Sequence, residues 1–446
     1  MKKIFLIGAG RSASTLIKYL AKQTKENNHH LSIGDVNLDL AKKVVEENEH
    51  IRLFLFDINN KEQRQEEIKK SDLVISMLPA FMHHEVAKEC VEFNKHMVTA
   101  SYVSEEMKGL EKEVKKRGLV FMNEIGVDPG LDHLSAMRVI DTIRHQGGKM
   151  REFETFTGGL VAPESDNNPW NYKFTWNPRN VVLAGSGGPV KFIQEGQYKY
   201  IPYQKLFRRT EIIEVEGYGK FEGYANRDSL KYREIYNLQD ILTLYRGTLR
   251  RPGFCRAWDL FVQLGLTDDS YKMENTENMT YRQYLNSFLA YHPFDRVEIK
   301  VMQYLGLHQD DTALMEKLEW LDLFSNKKIG LPNASPAQIL QHILEQKWKI
   351  EASDKDMIVM WHKFVFWMDD EIREIQSSMV IKGDDHIDTA MAKTVGLPVG
   401  IAAKLILEEK ITEPGVHIPI TSDIYIPVLA ELEKYGITFN EKIISR

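Results

Sequence analysis

The sequence predicts an α/β protein in which a doubly wound parallel sheet is followed by a mixed α/β domain carrying a helical insertion. Three observations predict it. The first 145 residues alternate β-rich runs (KKIFLIG, LSIGD, IRLFLFD, DLVISML, HMVTAS, VFMNEIG) with amphipathic segments such as VNLDLAKKVVEEN and VSEEMKGLEKEVKKRG, and near-continuous apolar strands separated by helices imply a parallel sheet covered on both faces. From about Gly147 the texture changes to period-two runs such as REFETFTGG and EIIEVEGYGKFEGYA, which suit a mixed or antiparallel sheet. From about Asp240 to Lys347 the pattern turns helical and amphipathic, as in RQYLNSFLAYH and DTALMEKLEWLDLF.

After Met357 the β-like texture returns in MIVMWHKFVFWMDD and REIQSSMVIKG, and TAMAKTVGLPVGIAAKLILEE has the small residues of a helix that packs closely against a sheet. The organisation expected is a nucleotide-type domain over 1–130 and 388–446, a mixed domain over 131–240 and 348–387, and the helical insertion over 241–347.

Composition narrows the function classes. The 446 residues are 43% hydrophobic and 27% charged, as in ordinary globular proteins rather than disordered or low-complexity chains. A net charge of -6, from 58 basic against 64 acidic side chains, argues against nucleic acid or an anionic membrane as the main partner. Only Cys90 and Cys255 are present, so neither a disulfide framework nor a thiol-held zinc is expected. The apolar start MKKIFLIGAG is too short for a signal segment, and the longest apolar run, Ile358 to Met368, is interrupted by His362 and Lys363 and is not expected to span a bilayer. A cytoplasmic location follows as the expectation.

Gly8-Ala9-Gly10-Arg11-Ser12-Ala13 follows a strand directly and opens a helix, the G-x-G-x-x-A form of the Rossmann dinucleotide fingerprint. Gly8 permits the tight turn, Gly10 lets the backbone approach a pyrophosphate, and Ala13 lets the helix close on the sheet, while the helix amides face the anion. Asp35 ends the second strand with no Arg or Lys between Leu31 and Ala41. A carboxylate there accepts from ribose hydroxyls and repels a 2′-phosphate, which predicts NAD in preference to NADP. Capping of the next helix is the alternative role for Asp35. Ligands in such sheets sit at the carboxyl ends of strands, which adds Asp57 and Ile58 after the third strand, Leu78 and Pro79 after the fourth, and Val127 to the cofactor set of Gly8, Gly10, Arg11, Ser12 and Asp35.

The densest segment is NEIGVDPGLDHLSAM, in which Asp128, Pro129 and Gly130 turn from a strand into a helix bearing Asp132 and His133. Acids at a helix N-terminus serve as dipole complements, a sufficient role for Asp132 and His133; Asp128, ahead of the turn, is a candidate for chemistry. His83 and His84 are adjacent and so point to opposite sides of their element, with no Cys or Asp nearby to complete a set; no metal site is expected.

ASYVSEEM, NEIGVDPGLDHLSAM, GGLVAPESDNNPWNYKFTW, ANRDSL, YRGTLRRPGF, DMIVMWHKF and TVGLPVGIAAKLIL resemble the glutamate-forming saccharopine dehydrogenases, in order along nearly the whole chain. The resemblance implies an oxidoreductase interconverting saccharopine, a nicotinamide dinucleotide and water with glutamate, 2-aminoadipate 6-semialdehyde and the reduced dinucleotide, in lysine metabolism, and a homodimer. It implies that Ser101, Tyr102 and Asp128 face cofactor and substrate, and that Arg227 and the block Arg246-Gly247-Thr248 bind substrate. Two departures stand out. This chain has Asp35 where fungal members carry an Arg at the end of the second strand, and Thr157 where they carry a Cys before the Gly-Gly pair.

The chemistry independently asks for such residues. Three carboxylates on saccharopine suit Arg forks, and water must attack an iminium carbon, so a group must take and return protons. Tyr102 and Asp128 are the candidates, with exchange through ordered water as the alternative. Two other functions remain open: a carboxynorspermidine dehydrogenase-like reductive coupling, and a non-enzymatic dinucleotide-sensing protein on the same fold.

Overall fold

The computed structural model describes residues 1–184, 188–308 and 310–444. The chain divides into two compact units, one of Met1–Arg151, Ile235–Leu238 and Lys355–Arg446, the other of Glu152–Glu234 and Gln239–Asp354.

In the first unit the apolar runs become strands β1 (Lys3–Ile7), β2 (His30–Asp35), β3 (Ile51–Leu55), β4 (Leu73–Ser76), β5 (His96–Val98) and β6 (Val120–Met122). With Gly415–His417 they form a seven-stranded sheet in the order Gly415–His417, β6, β5, β4, β1, β2, β3, parallel throughout. This is the doubly wound fold the sequence predicts. Phe5, Ile7, Val74, Met97 and Phe121 pack under helical residues Ile68, Val86, Cys90 and Val114, so both the strand and helix periodicities are explained by one core. The chain order reverses between β1 and β4, and at such a point the carboxyl ends of the strands open a ligand crevice.

The remainder of this unit contains an antiparallel hairpin, Asp356–Met368 against Glu371–Lys382, with Asn440–Ile444 added to its second strand. Asp369 and Asp370, at φ 53° and 63°, make the two-residue turn that matches strand twist. The helix Ala390–Leu407 is long and apolar enough to cross a membrane by length and composition, although the sequence suggested no such run; 78% of it is buried. Its small residues pack it chiefly on the helix Ser14–Asn27 rather than on strands alone: a Cβ on Gly396 would lie 2.8 Å from Leu16 N, and one on Gly400 2.6 Å from Tyr19 Cδ1.

The second unit is built on β7 (Lys149–Val161), whose first residues belong to the first unit, with β8 (Val190–Gln194), β9 (Gln197–Ile201), β10 (Thr210–Val215), β11 (Gly219–Ala225) and β12 (Thr243–Arg250). β10, β11 and β12 run antiparallel, β12 and β7 parallel, and the hairpin β8–β9 joins β12 at Leu244. The helices expected from Asp240 onward begin only at Phe254–Leu264. Thr243–Arg250 is instead a central strand, buried along nearly its whole length. The helices Phe254–Leu264 and Pro336–Lys347 frame an aromatic core in which Trp170 stacks on Phe261 at 5.3 Å, Trp258 on Phe254 at 5.6 Å, and Trp348 meets Tyr172 at 5.0 Å.

Candidate active site

Four loops leave the carboxyl ends of β1, β4, β5 and β6. At the first, Gly8 has φ +101°, and a Cβ there would meet Met77 O at 2.9 Å, so both backbone conformation and space require glycine. A Cβ on Gly10 would have nothing within 4 Å. The backbone therefore stands clear at the 3₁₀ turn Arg11–Ala13, which leads into Ser14–Asn27, and a pyrophosphate can approach the first helical amides. The residues present fit a dinucleotide. Ala13 is buried, Ser12 half-buried and Arg11 exposed.

Asp35 closes β2 with its carboxylate engaged by backbone: Ala9 N–H donates to Oδ2 at 2.6 Å and Asn37 N–H to Oδ1 at 2.8 Å. It braces the glycine turn. Asp57 follows β3, exposed, and its Oδ1 accepts from Asn59 N–H at 2.9 Å, while Ile58 and Leu78 pack partly into the core and Pro79 is exposed. A cavity of about 400 Å³ lined by Lys3, His30, His50 and Arg52 lies at the amino ends of β1 to β3, the end that the glycine loop does not use.

Ser101 and Tyr102 leave β5, and Asp128 lies in the loop after β6. The structure brings the two acid–base candidates together, with Tyr102 Oη 3.5 Å from Asp128 Oδ1 and both side chains half-buried beside the equally half-buried Val127. The Asp128–Pro129 peptide is cis. Gly126 N–H donates to Pro129 O at 2.9 Å and Leu131 N–H to Gly126 O at 2.9 Å, closing the turn. Gly130, at φ +147°, admits no Cβ, which would fall 2.0 Å from Gly126 O. Asp132 Oδ1 accepts from Gly130 N–H at 2.6 Å, which ties the start of the helix to the turn.

Two groups in these loops escaped the sequence-based assignment. Glu124, buried and at φ 52°, accepts from Val103 N–H at 3.0 Å through Oε1 and lies 3.0 Å from His133 Nε2 through Oε2, while His133 Nδ1 is 2.6 Å from Tyr236 Oη. A non-glycine residue held in that conformation marks a tightly determined site. His83 opens the helix His83–Glu92 with Nδ1 2.8 Å from Ser76 Oγ and Nε2 2.7 Å from Ser101 Oγ, and burial pushes its pKa down to about 4. His84 is only half-buried, as expected of adjacent positions. No local sequence signal marks His83 for this role, because its hydroxyl partners lie 7 and 18 positions away. Among the described residues no three His, Cys, Asp or Glu side chains cluster as a metal site requires.

In the second unit, Arg227 is exposed at φ 49° and Arg246 is 3% exposed with its guanidinium over the Tyr232 ring at 4.2 Å. β11 and β12 bring their blocks together. Ala225 pairs with Gly247 and Tyr224 with Thr248, and Asn226 N–H donates to Arg246 O at 2.9 Å. Thr157 pairs with Thr248 across β7, its hydroxyl buried without a hydrogen-bond partner among the described residues.

Residues 4–122 match the saccharopine dehydrogenase NADP binding domain, and residues 126–437 the saccharopine dehydrogenase C-terminal domain. A saccharopine dehydrogenase [NADP(+), L-glutamate-forming] of Schizosaccharomyces pombe is 32% identical over 100% of this chain and 99% of its own. The mitochondrial alpha-aminoadipic semialdehyde synthase of Mus musculus is 33% identical over 98% of this chain, which spans 47% of that protein. Among solved structures, apo histidine-tagged saccharopine dehydrogenase (L-Glu forming) from Saccharomyces cerevisiae superposes with a TM-score of 0.89 at 29% identity, covering 100% of both chains. These findings overturn the expected preference for NAD over NADP, since the matching domain is described as NADP binding and the fungal relatives are named for NADP(+). The physical reason lies at Asp35. Each of its oxygens accepts one amide hydrogen bond, from Ala9 and Asn37, so the glycine turn accounts for a carboxylate at this strand end without a ribose, and the residue type alone carries no cofactor preference.

Proposed function

The chain belongs to the saccharopine dehydrogenase family, and on that premise we propose that it interconverts saccharopine and water with L-glutamate and 2-aminoadipate 6-semialdehyde, using NADP. The observation that carries this is the likeness to the fungal enzymes along the full length of both chains. The dinucleotide, when bound, takes or gives the hydride at the secondary amine's carbon.

The chain's own residues divide the remaining work. Gly8, Gly10, Arg11 and Ser12 receive the phosphates, with Arg11 as the cation for the 2′-phosphate. Tyr102 and Asp128 hold and return the proton that leaves as water adds to the substrate carbon; their 3.5 Å separation is short enough for a proton to pass once a substrate atom or a water closes the gap. Ser101 donates a hydrogen bond to the ligand. Arg227 and Arg246 receive substrate carboxylates, for which a guanidinium fork is the matching donor, and Gly247 and Thr248 lie beside Arg246 on β12. The active species is proposed to be a homodimer.

Steady-state oxidation of saccharopine with NADP, followed at the reduced nicotinamide band with glutamate assayed as product, is the test. Turnover with release of glutamate supports the assignment. Failure to turn over saccharopine while another secondary amine of this class reacts would refute it.

A further inference from the structure

His83 is buried at 5% exposure and does not belong to the cofactor or substrate set above. It joins two hydroxyls: Ser76 Oγ at 2.8 Å from Nδ1 and Ser101 Oγ at 2.7 Å from Nε2, with Thr99 Oγ1 at 3.4 Å from the same Nε2. Ser76 ends β4 and is fully buried, whereas Ser101, at the exit of β5, is half-buried. The array runs from the sheet interior to the ligand side of the doubly wound unit.

A neutral imidazole has one N–H donor and one bare nitrogen acceptor, so the hydroxyls at its two ends must be polarised in the same sense. Desolvation keeps the ring neutral, with its pKa near 4. Among the described residues, His83 Nδ1 is the partner of the Ser76 hydroxyl. A buried hydroxyl hydrogen needs an acceptor, which here is Nδ1. The ring proton then sits on Nε2, where Ser101 Oγ at 2.7 Å accepts it, Thr99 Oγ1 at 3.4 Å being too far to compete. Thr99 Oγ1 also accepts from Ser101 N–H at 3.3 Å, which fixes the backbone on which Ser101 stands. With its oxygen accepting from His83, the Ser101 hydroxyl directs its own hydrogen away from the ring.

We propose that His83 is a positioning residue that acts through Ser101: with Ser76 setting the tautomer, it orients the Ser101 hydroxyl as an outward donor to an acceptor oxygen of the bound ligand, an amide or carboxylate oxygen. The assignment of Ser101 to the ligand rests on the function proposed above, whereas the tautomer does not. Swapping the two ends of the array would present Ser101 as an acceptor and oppose a carboxylate or carboxamide oxygen at the same place.

Two measurements test this. Nitrogen-15 NMR of histidine-labelled protein without ligand reports which ring nitrogen carries the proton. Nε2–H in the wild type, shifting toward a mixture of tautomers in Ser76→Ala, is expected; Nδ1–H in the wild type would overturn the proposal whatever the substrate proves to be. The second is a cycle of kcat/KM for saccharopine. His83→Asn, which cannot reach Ser101, should lower it about tenfold when Ser101 is present and less than twofold in a Ser101→Ala background. His83→Gln, whose amide N–H stands where Nε2–H did, should recover most of the loss. Equal losses in both backgrounds would show that His83 serves the fold alone and would refute a role through Ser101. If His83→Asn fails to fold, the same comparison is made with Ser76→Ala. Absence of saccharopine turnover by the wild type would defeat the functional proposal while leaving the tautomer result to be judged separately.

Discussion

Gly130→Ala isolates the turn that presents Asp128. A Cβ at this position would lie 2.0 Å from Gly126 O, 2.3 Å from Gly126 N and 2.4 Å from Gly126 C, all backbone atoms, at φ +147°. Ordinary contact begins near 3.4 Å, so the two arms of the turn must part by more than an ångström, breaking the Gly126 N–H to Pro129 O and Leu131 N–H to Gly126 O bonds. Backbone confined to glycine costs roughly 1 to 3 kcal/mol for any other residue before the clash is counted. A displacement of about 1 Å at a reacting group lowers turnover by about 100-fold.

Gly147→Ala is the matched control. It sits beyond the other end of the same helix, at φ +84°, with nothing within 4 Å of its Cβ, so only the conformational term of about 1 kcal/mol applies. The expected result is that both variants melt a few degrees early, while only Gly130→Ala loses about 100-fold in kcat. Comparable kcat for the two, with the folded fraction of each verified by circular dichroism, would refute the assignment of the Asp128 turn to the chemistry.

Tyr102→Phe and Asp128→Asn should each lower kcat by about 100-fold or more and remove a limb of the pH profile, and because the groups are within 3.5 Å the double variant should lose little beyond the worse single; intact limbs would move the proton traffic to bound water. Arg227→Ala should raise the saccharopine KM by about 30-fold, the lower end of roughly 2 to 5 kcal/mol for a lost charge-assisted pair because the side chain is exposed, while the NADP KM stays within twofold; a change in both would mark a structural role. Arg11→Ala should weaken NADP by about tenfold and NAD far less, read by quenching of protein fluorescence; equal weakening would place Arg11 away from the 2′-phosphate. His83 has its folded pKa below its unfolded value, at about 4 against 6.5, so the unfolded chain binds the proton first. Stability should therefore fall as pH drops from about 6.5 to about 4, by up to about 3 kcal/mol, and denaturant titrations of His83→Gln should show a flatter profile across that window.

The parallel sheet was legible because its strands are buried on both faces and carry near-continuous apolar runs, a pattern that depends on each strand alone. β12 was not. Its sequence TLYRGTLR carries two arginines, and charge inside an apolar run suggests a helix face turned to solvent. Arg246 and Arg250 are in fact 3% and 4% exposed, laid over the rings of Tyr232 at 4.2 Å and Tyr172 at 5.1 Å, where the flat guanidinium replaces lost water with π contact.

The site shows the same division between what is local and what is not. Glycine turns, strand ends and the Asp128 loop follow from neighbours in sequence, and the sequence located them. A side chain's partner is another matter. Ser76 and Ser101 lie 7 and 18 positions from the histidine that links them, so no local pattern distinguishes His83 from a discarded metal ligand. Asp35 carries the point furthest, because a carboxylate at a strand end serves a ribose or a turn equally well, and what separates the two is a 2.6 Å bond to an amide 26 residues earlier. Cofactor preference read from that residue type alone assigned the carboxylate to a ligand when the fold had already engaged it, and the same caution makes Arg11, exposed on the glycine turn, the residue at which the choice between NADP and NAD is better measured.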